Sequence, residues 1–488
     1  MTNKPGGEKL SLFTKLGYGM GDLYGGGAMT IIGFYYLYFL TDVVRISPSL
    51  AGLVFLVSKI YDAVTDPIMG MISDRTRTRF GRRRPYFLAG VILIVLSFFM
   101  MWYPVAFESE AFRFLYVILS YIFYSTIITM VMVPYNALPA ELTADYNERT
   151  SLATFRMVFS GIAGILCAVL PLEIVKAFGD QRTGYMAMAL GFGLLFGLPY
   201  ILTFLATYER DEFQLEVPPW NLRDTVRTTF VEPFQVRSFR GVLMMYIFAF
   251  ISMDSLMAVM IYFVTYYLKM QQHMTMVLGV LFVVQIAFLP VFDYISRVTS
   301  KRAGYMMAVG IWMAAMCFSF TLGPDSSMVI VYLFAGCLGV ASAGFSVLVF
   351  AMFPDIPDVD ELRSGERREG VYSGLFTFMR KASSAVALFI ISNSLHLAGY
   401  RKPEVAVVDG VTRLVEQPQS DDFILVLRLI FVLAPIVFLS IGLYQCIRYP
   451  LSPALHRRLI ALLEKRRSGV HTPELAEEEG YLKKILIG

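Results

Sequence analysis

The chain is poor in the residues that build disulfide-linked, metal-binding or soluble catalytic proteins. Its 488 residues include 4 cysteines and 4 histidines. The cysteines lie singly in apolar segments, without the spacing of a metal site or a disulfide framework: Cys167, Cys317, Cys337 and Cys446. Neither a G-x-S-x-G nucleophile motif nor a G-x-x-x-x-G-K-[S/T] phosphate loop occurs. We therefore expect neither an enzyme nor a cofactor, and no metal beyond a coupling ion.

Charge is also scarce. Charged residues make up 16% of the chain, where soluble domains have about 25%, and hydrophobic residues make up 56%. This composition excludes an ordinary soluble protein and indicates a polytopic membrane protein. The net charge of +4 gives no reason to expect a nucleic-acid partner. The expected partners are a small-molecule substrate and membrane lipid, and we expect a monomer.

Twelve stretches are apolar and long enough to cross a bilayer, which takes about 20 helical residues. They are residues 17–41, 50–73, 86–104, 112–138, 151–178, 184–207, 240–268, 275–297, 304–322, 327–352, 370–398 and 422–448. A polar linker, 209–239, separates the first six spans from the last six. The sequence thus predicts an all-α membrane protein with two six-helix halves, residues 1–208 and 240–448, and a tail at 449–488.

Basic residues concentrate in alternate loops. The loop after the second span holds six arginines, namely Arg75, Arg77, Arg79, Arg82, Arg83 and Arg84. The positive-inside rule then places both termini and the linker in the cytoplasm. In the tail, leucines recur at helical spacing beside basic residues. This pattern indicates either an amphipathic helix on the cytoplasmic leaflet or a solvated helix.

The second span carries charges that an ordinary apolar helix avoids. Asp62 and Asp66 are four residues apart, so their carboxylates share one helix face, which Lys59 joins. A charge at membrane depth costs about 2.5–3.5 kcal/mol on insertion scales, and such residues usually line a functional cavity. The three side chains sum to −1, which suits a monovalent cation. The alternative is a salt bridge that only locks helix packing.

The first span offers side chains that suit a substrate cavity. Asp22 lies beside a row of small residues, Gly17, Gly21 and Gly25, which let another helix approach closely. Tyrosines further along the same span, Tyr35 and Tyr36, can stack on a sugar ring if they line the cavity.

Two later spans carry isolated basic residues. Arg156 lies in the fifth span, and Arg380 and Lys381 are adjacent in the eleventh. Neighbouring residues on a helix point about 100° apart, so Arg380 and Lys381 cannot both face one cavity. A lysine at this depth is a natural partner for Asp62 or Asp66. It can hold an empty cation site neutral, or it can form a static bridge between the halves.

Several short motifs occur along the chain: Lys15-Leu-Gly-Tyr-Gly-Met-Gly-Asp22, Tyr61-Asp-Ala-Val-Thr-Asp-Pro67, Gly70-x-x-x-Asp74-Arg75, Gly81-Arg-Arg-Arg-Pro85, Val133-Pro-Tyr-Asn-Ala-Leu138, Asp355-x-x-Asp358 and Gly365-Glu-Arg-Arg-Glu-Gly370. Together they resemble the motifs of the glycoside–pentoside–hexuronide:cation symporters of the major facilitator superfamily. The resemblance runs from about residue 15 to 448. It implies a major facilitator fold of twelve transmembrane helices, symport by alternating access, and a place in a bacterial inner membrane.

The resemblance also implies roles for individual residues. In that family the acidic pair of helix 2 binds the coupling cation, which implies this role for Asp62 and Asp66. The hydroxyl of Thr65, beside them, can offer a further hard oxygen, so Na⁺ and H⁺ both stay open. The family's helix 11 lysine corresponds to Lys381, which with Lys59 would couple cation binding to movement.

A charge-rich turn follows the second span. Gly70, Asp74 and Arg75 belong to it, together with the Arg82–Arg84 run. We expect this turn to act as a conformational latch that pairs with neighbouring helix ends when the transporter is open outward and releases when it opens inward. A topology signal without a latch is the alternative.

The chain departs from the family where sugar is held. The family's helix 1 sugar-binding acid falls on Gly26, and its helix 10 tryptophan falls on Ser346. The remaining substrate-binding candidates are Asp22, Tyr35, Tyr36, Tyr135, Asn136 and Arg156. Arg156 and Lys381 together would suit an acidic group. We expect a small glycoside, pentoside or hexuronide; the alternative is a lysophospholipid or another amphipath.

Overall fold

The computed structural model of the chain describes residues 9–143, 146–209, 227, 231–353, 355–365, 368–408, 411–415, 417–468 and 472–487. Most of the predicted linker lies outside these ranges. Ten of the described helices are long and apolar enough to cross a membrane. The other two predicted spans are also helical. The first is broken into shorter pieces, and the ninth is a 19-residue helix that begins with two basic residues.

The first half opens with a divided helix. α1 (Leu12–Met20) and α2 (Asp22–Ile31) continue through π-helical segments at Ile32–Tyr36 and Phe39–Val43. The other helices of this half are α3 (Pro48–Arg75), α4 (Arg84–Met101), α5 (Glu110–Leu142), α6 (Tyr146–Lys176), α7 (Gln181–Gly197) and α8 (Pro199–Ala206). The predicted close approach at the glycine row occurs, because a Cβ at Gly17 would overlap the side chain of Ala206 on α8.

The second half repeats this plan. A 3₁₀ turn (Glu232–Gln235) leads into α9 (Arg237–Tyr262), which continues as a π-helical segment (Phe263–Tyr267), and a second 3₁₀ turn (Gln271–His273) follows. The other helices are α10 (Met274–Val298), α11 (Lys301–Ser319), α12 (Met328–Met352), α13 (Asp355–Ser364), α14 (Glu369–Leu397) and α15 (Asp421–Arg448). The first span of each half ends in a π-helical segment and a non-glycine residue with positive φ, Arg45 at 66° and Lys269 at 56°. The halves are therefore parallel repeats.

A small hairpin departs from the all-α prediction. β1 (Glu404–Val408) and β2 (Val411–Val415) pair antiparallel in the connection between α14 and α15, which the all-α prediction left without a strand. Valines alternate in this stretch, and an Asp-Gly dipeptide separates the strands. Such a dipeptide between β-favouring runs is a strong hairpin signal.

The tail packs on the second half. α16 (Pro453–Arg467) and α17 (Pro473–Leu486) pack on each other and on α13. Leu459, Leu462 and Leu463 of α16 are buried, and the Ser238 hydroxyl of α9 donates to the carbonyl of Leu486 at 2.9 Å. These leucines of the predicted apolar face are therefore covered by protein.

The halves meet along two pairs of helices and close one end of the bundle. α3 packs against α14, and α6 packs against α10. At the end of the first span, the hydroxyls of Thr41 and Tyr262 lie 2.6 Å apart, and Lys402 Nζ lies 2.6 Å from Glu110 Oε1. These contacts join the halves at the end opposite to the start of the chain, which we call the closed end.

Candidate functional site

Four charged side chains form two ion pairs where α3 meets α14. Lys59 Nζ lies 3.0 Å from Asp62 Oδ2, one turn along α3. Lys381 of α14 reaches across the junction of the halves and bonds Asp66 Oδ2. The shared face predicted for Lys59, Asp62 and Asp66 therefore meets a fourth charge from the other half. With Lys381 included, the group sums to zero rather than the −1 of α3 alone.

Asp62 is the most buried member of this group. Its residue is 1% exposed, and its Oδ1 has no hydrogen-bond partner within the described part of the chain. Tyr121 and Tyr124 of α5 lie near this carboxylate. A buried acceptor without a partner costs about 1–3 kcal/mol, and more when it is charged. Asp62 Oδ1 is thus a ready acceptor for a small cation or a proton.

Asp66 is held differently. Its Oδ1 accepts a hydrogen bond of 2.7 Å from the Thr129 hydroxyl of α5, and its side chain is 28% exposed. The Thr65 hydroxyl donates to the carbonyl of Tyr61 at 3.0 Å, which orients its oxygen but uses its proton. Sequence reasoning missed Thr129, because one threonine in an apolar helix carries no signal. Carboxylate and hydroxyl oxygens of this kind are hard ligands that suit Na⁺.

A second ion pair lies between the first and fifth spans. Arg156 Nε is 2.9 Å from Asp22 Oδ1, and the guanidinium lies 5.3 Å from the centre of the Tyr135 ring. That ring stacks on Tyr18 at 4.7 Å, and its hydroxyl donates to the carbonyl of Tyr18 at 2.7 Å. The Arg156 side chain is 33% exposed. Because a charge facing lipid is costly, we expect this exposed part to face a water-filled cavity rather than lipid.

Three of the predicted substrate-binding residues differ from Arg156 in burial and in their contacts. Tyr35 is buried and donates to the carbonyl of Ala168, and Tyr36 is buried against Trp102. Both tyrosines lie in a π-helical segment, whose wider turn shifts the helix faces away from those expected for an α-helix. Asn136 is exposed on α5 next to Tyr135. Because both tyrosines are buried, we do not include Tyr35 and Tyr36 among the proposed substrate-binding residues.

Arg380 and Lys381 point apart, as their adjacency predicted. Arg380 Nη1 and Nη2 lie 2.6 and 2.8 Å from Asp254 Oδ2 and Oδ1, which forms a bidentate pair inside the second half. The guanidinium also lies 4.6 Å from the centre of the Phe250 ring. Lys381 instead joins the first half. The prediction that the two side chains point in different directions is confirmed.

The charge-rich turn after α3 forms a compact network. Asp74 Oδ1 lies 2.8 Å from Arg83 Nη2, and Arg83 also bonds Glu141 at the end of α5. Arg82 Nη2 lies 2.8 Å from the same Glu141 oxygen. Arg83 and Glu141 are both buried, so the network ties the ends of α3, α4 and α5 together. Of the other predicted latch residues, Gly70 lies on α3 and Arg75 is exposed.

Glu209 anchors the start of the linker on this turn. Its carboxylate accepts the backbone N–H groups of Arg82, Arg83 and Arg84 at 2.7, 2.8 and 3.1 Å. These N–H groups stand at the start of α4, where a helix has unsatisfied donors and favours negative charge. Gly81, with φ of 103°, supplies the left-handed backbone before them. Sequence reasoning missed Glu209 because its position relative to the turn depends on the fold.

The second half has a comparable network at the same end of the bundle. Arg368 Nε lies 2.8 Å from Asp360 Oδ2, and its Nη1 lies 2.8 Å from Glu232 Oε2. The hydrogen bond from Arg368 holds the pKa of Glu232 below its usual range. Lys301 Nζ lies 2.7 Å from Asp355 Oδ2. Each half thus has its own ionic clasp at the end where the linker begins and ends.

Comparison with known proteins gives consistent matches over most of the chain. A family model described as MFS/sugar transport protein matches residues 17–453. The symporter YjmB of Bacillus subtilis, itself uncharacterized, is 30% identical over 407 residues, covering 80% of this chain and 85% of that protein. YagG of Escherichia coli, provisionally named a glycoside/cation symporter, is 36% identical over 210 residues, covering 43% and 45%. The sodium-dependent lysophosphatidylcholine symporter 1 of Gallus gallus is 24% identical over 489 residues, covering 92% and 88%.

Solved structures match the fold. The crystal structure of a bacterial homolog of the human lysosomal transporter Spinster, in an inward-facing and unoccupied conformation, has a TM-score of 0.60. It covers 91% of this chain and 98% of its own, at 13% sequence identity. At that identity, the likeness concerns the fold alone.

Proposed function

The chain belongs to the MFS/sugar transport family, and from this premise we propose that it is a cation-coupled symporter of a small neutral glycoside. The family match confirms the resemblance seen in the sequence, and the fold is the expected major facilitator fold of an integral, multi-pass membrane protein. The observation that carries the coupling is the buried Asp62 Oδ1, which has no partner among the described residues and lies next to the Asp66–Lys381 bridge. The names of the relatives as symporters agree with it.

Cation binding would act on the contact between the halves. The empty cluster is neutral, with Asp62 paired to Lys59 and Asp66 paired to Lys381. A Na⁺ or H⁺ that takes up carboxylate charge weakens the hold of Asp66 on Lys381, which belongs to the other half. The energy of one inter-half contact then depends on cation occupancy. A ligand can shift a conformational equilibrium only through such a difference.

The charges near Arg156 favour a neutral substrate. The sequence suggested that Arg156 and Lys381 could hold an acidic group, but both already have carboxylate partners. A paired carboxylate and guanidinium carry no net charge and still offer acceptors and donors to hydroxyl groups. The Tyr135 ring adds an aromatic surface beside them. The name given to YagG agrees with a glycoside, and we prefer it to a hexuronide.

An amphipathic lipid is the second candidate. The Gallus gallus relative, named for sodium-dependent transport of lysophosphatidylcholine, aligns with 92% of this chain. Gly26 stands where the resemblance places a sugar-binding acid, and a Cβ there would overlap the Ser160 side chain of α6. The position of Gly26 therefore cannot hold an acidic side chain unless Ser160 moves.

Transport by purified protein in lipid vesicles tests both candidates. Labelled glycosides and labelled lysophosphatidylcholine are offered under an imposed Na⁺ gradient, an imposed H⁺ gradient, or neither. We expect one gradient to drive glycoside above its equilibrium level, and an ionophore for that ion to abolish the accumulation. Gradient-driven movement of lysophosphatidylcholine without glycoside uptake would establish the second candidate. Glycoside uptake that ignores both gradients would contradict symport.

The closed end is proposed to face outside, in a bacterial inner membrane. The arginine-rich turn after α3 lies at the opposite end, and the positive-inside rule assigns that end to the cytoplasm. The Lys402–Glu110 and Thr41–Tyr262 contacts then form an outer gate in its shut state. The conformation described is accordingly inward-facing.

The Asp74–Arg83 pair is formed in this conformation, whereas the latch prediction has it released when the transporter opens inward. We propose that the Asp74 turn still acts as a latch, but with its contacts formed in the inward-facing state, and a charge reversal tests it. Asp74→Arg removes the 2.8 Å contact with Arg83 and places two guanidinium groups together. We expect single cysteines in the cavity to change their accessibility between the two sides of the membrane, because one conformation loses a clasp. Arg79→Asp is the control, since it changes charge in the same exposed loop, where Arg79 contacts Phe80. Equal behaviour of both variants would favour a topology signal.

A further inference from the structure

Each half contains one arginine of its fifth span paired with an aspartate of its first span. In the first half, Arg156 of α6 pairs with Asp22 of α2. In the second half, Arg380 of α14 pairs with Asp254 of α9. Both guanidinium groups lie over an aromatic ring, that of Tyr135 at 5.3 Å and that of Phe250 at 4.6 Å.

The two arginines are separated by the same number of residues as another matched pair of positions, whereas their partners Asp22 and Asp254 are not. Arg380 lies 224 residues after Arg156 (380 − 156), and Lys269 lies 224 residues after Arg45 (269 − 45). Arg45 and Lys269 have the same unusual positive φ and stand at the end of the first span of each half. In transporters built from repeats, substrate sites lie near the bilayer midplane where the repeats meet. We therefore expect Arg380 to face the same cavity as Arg156 from the opposite side.

The exposure of Arg380 and the contacts of its neighbours support a position beside the substrate cavity. Its side chain is 18% exposed, and a charged group with residual exposure at membrane depth faces water rather than lipid. Its neighbour Lys381 bonds Asp66 of the first half, so this level of α14 lies at the junction of the halves. The rings of Tyr246 and Phe350 contact the Phe250 ring at tilted and edge-on angles, with centroids 4.8 and 6.1 Å from it, and Phe350 is exposed.

We propose that Arg380 and Asp254 form a second substrate subsite, which receives a second hydroxylated ring of the glycoside while Arg156 and Asp22 hold the first. The proposal rests on the proposed function and specifies its substrate class as a glycoside of at least two sugar rings.

The chemistry of the pair suits this ligand. Asp254 accepts from two of the five N–H groups that a guanidinium carries, so donors remain for hydroxyl oxygens. The pair is neutral, as a neutral sugar requires. The Phe250, Tyr246 and Phe350 rings supply the apolar lining that ligand pockets combine with a few polar groups.

The test compares two neutral ligands on the full-length protein, a disaccharide and the methyl glycoside of its first ring. The double variant D254N/R380Q keeps the size of the Asp254 side chain, shortens that of Arg380 and leaves no unpaired charge. We expect it to weaken disaccharide binding about 10-fold or more, while methyl glycoside binding stays within about twofold. The control D293N/R297Q removes an exposed pair on α10 in the same way and should leave both affinities unchanged.

The outcomes separate the subsite from the function. A double variant that weakens both ligands equally, with a lowered melting temperature, identifies a pair that only locks α9 to α14 and overturns the subsite. Unchanged affinity for both ligands overturns it as well. A wild-type protein that binds neither glycoside overturns the proposed function together with the subsite.

Discussion

Replacing Asp62 with asparagine should abolish gradient-driven accumulation while leaving the protein folded and inserted. The carboxylate is 1% exposed, and its Oδ1 is unpartnered within the described residues, so a cation bound there loses its charged ligand when an amide takes its place. A charge-assisted interaction contributes about 1.5–3 kcal/mol, and its loss lowers cation affinity roughly 10- to 150-fold. Concentrative uptake into vesicles under the driving gradient measures this effect.

Asp66→Asn should have a similar effect on uptake by a partly different route. It removes a cation ligand and also the charge that holds Lys381 of the other half. Asp293→Asn is the matched control, because Asp293 is an exposed aspartate of α10 paired with Arg297. Normal concentrative uptake by the Asp62 or Asp66 variant would refute the coupling assignment. Equal loss in the Asp293 variant would point to a general defect.

Arg156→Gln should remove substrate binding and leave cation binding intact. The guanidinium lies at the cavity, joins Asp22 at 2.9 Å and covers the Tyr135 ring. Truncating one partner of a hydrogen-bonded charge pair at a binding site costs about 2–5 kcal/mol of binding free energy, much of which comes from the charge left unpaired on Asp22. We expect at least about a 100-fold loss of substrate affinity, measured by equilibrium binding to purified protein.

Two further variants make this result specific. The double variant Asp22→Asn with Arg156→Gln leaves no unpaired charge. A loss of substrate affinity that remains in this variant is therefore due to lost substrate contacts rather than to an unpaired carboxylate. Arg428→Gln removes another arginine that lies over a tyrosine ring, that of Tyr267 at 4.7 Å, in α15. It should bind substrate normally. Substrate affinity that survives Arg156→Gln would remove Arg156 from the site.

The sequence predicted the charges of the site better than its hydroxyls and rings. Asp62, Asp66 and Lys381 stand out because a charge in an apolar span is expensive, and their pairing follows from helical periodicity and charge. Thr129 has no such signal, because a threonine can satisfy its hydroxyl on its own helix anywhere. Tyr35 lies in a π-helical segment, where the 3.6-residue period no longer tells which face meets the cavity.

The tail and the loop contacts show a second limit. The spacing of Leu459 and Leu462 reveals an apolar face but not whether lipid or protein covers it, since both favour the same residues. Glu209 reaches the start of α4 from the beginning of the linker, a contact between segments far apart in the chain. The twelve spans and the two halves, by contrast, follow from hydrophobic length alone, which each segment carries independently.

The neutrality of the Lys59, Asp62, Asp66 and Lys381 group has an electrical consequence. An empty carrier returns across the membrane without moving charge through this group, whereas a carrier loaded with one monovalent cation and a neutral glycoside moves one positive charge inward. The membrane potential then drives uptake even when the cation is equally concentrated on both sides. At 100 mV, negative inside, one charge is worth about 2.3 kcal/mol, which corresponds to roughly 50-fold accumulation of substrate.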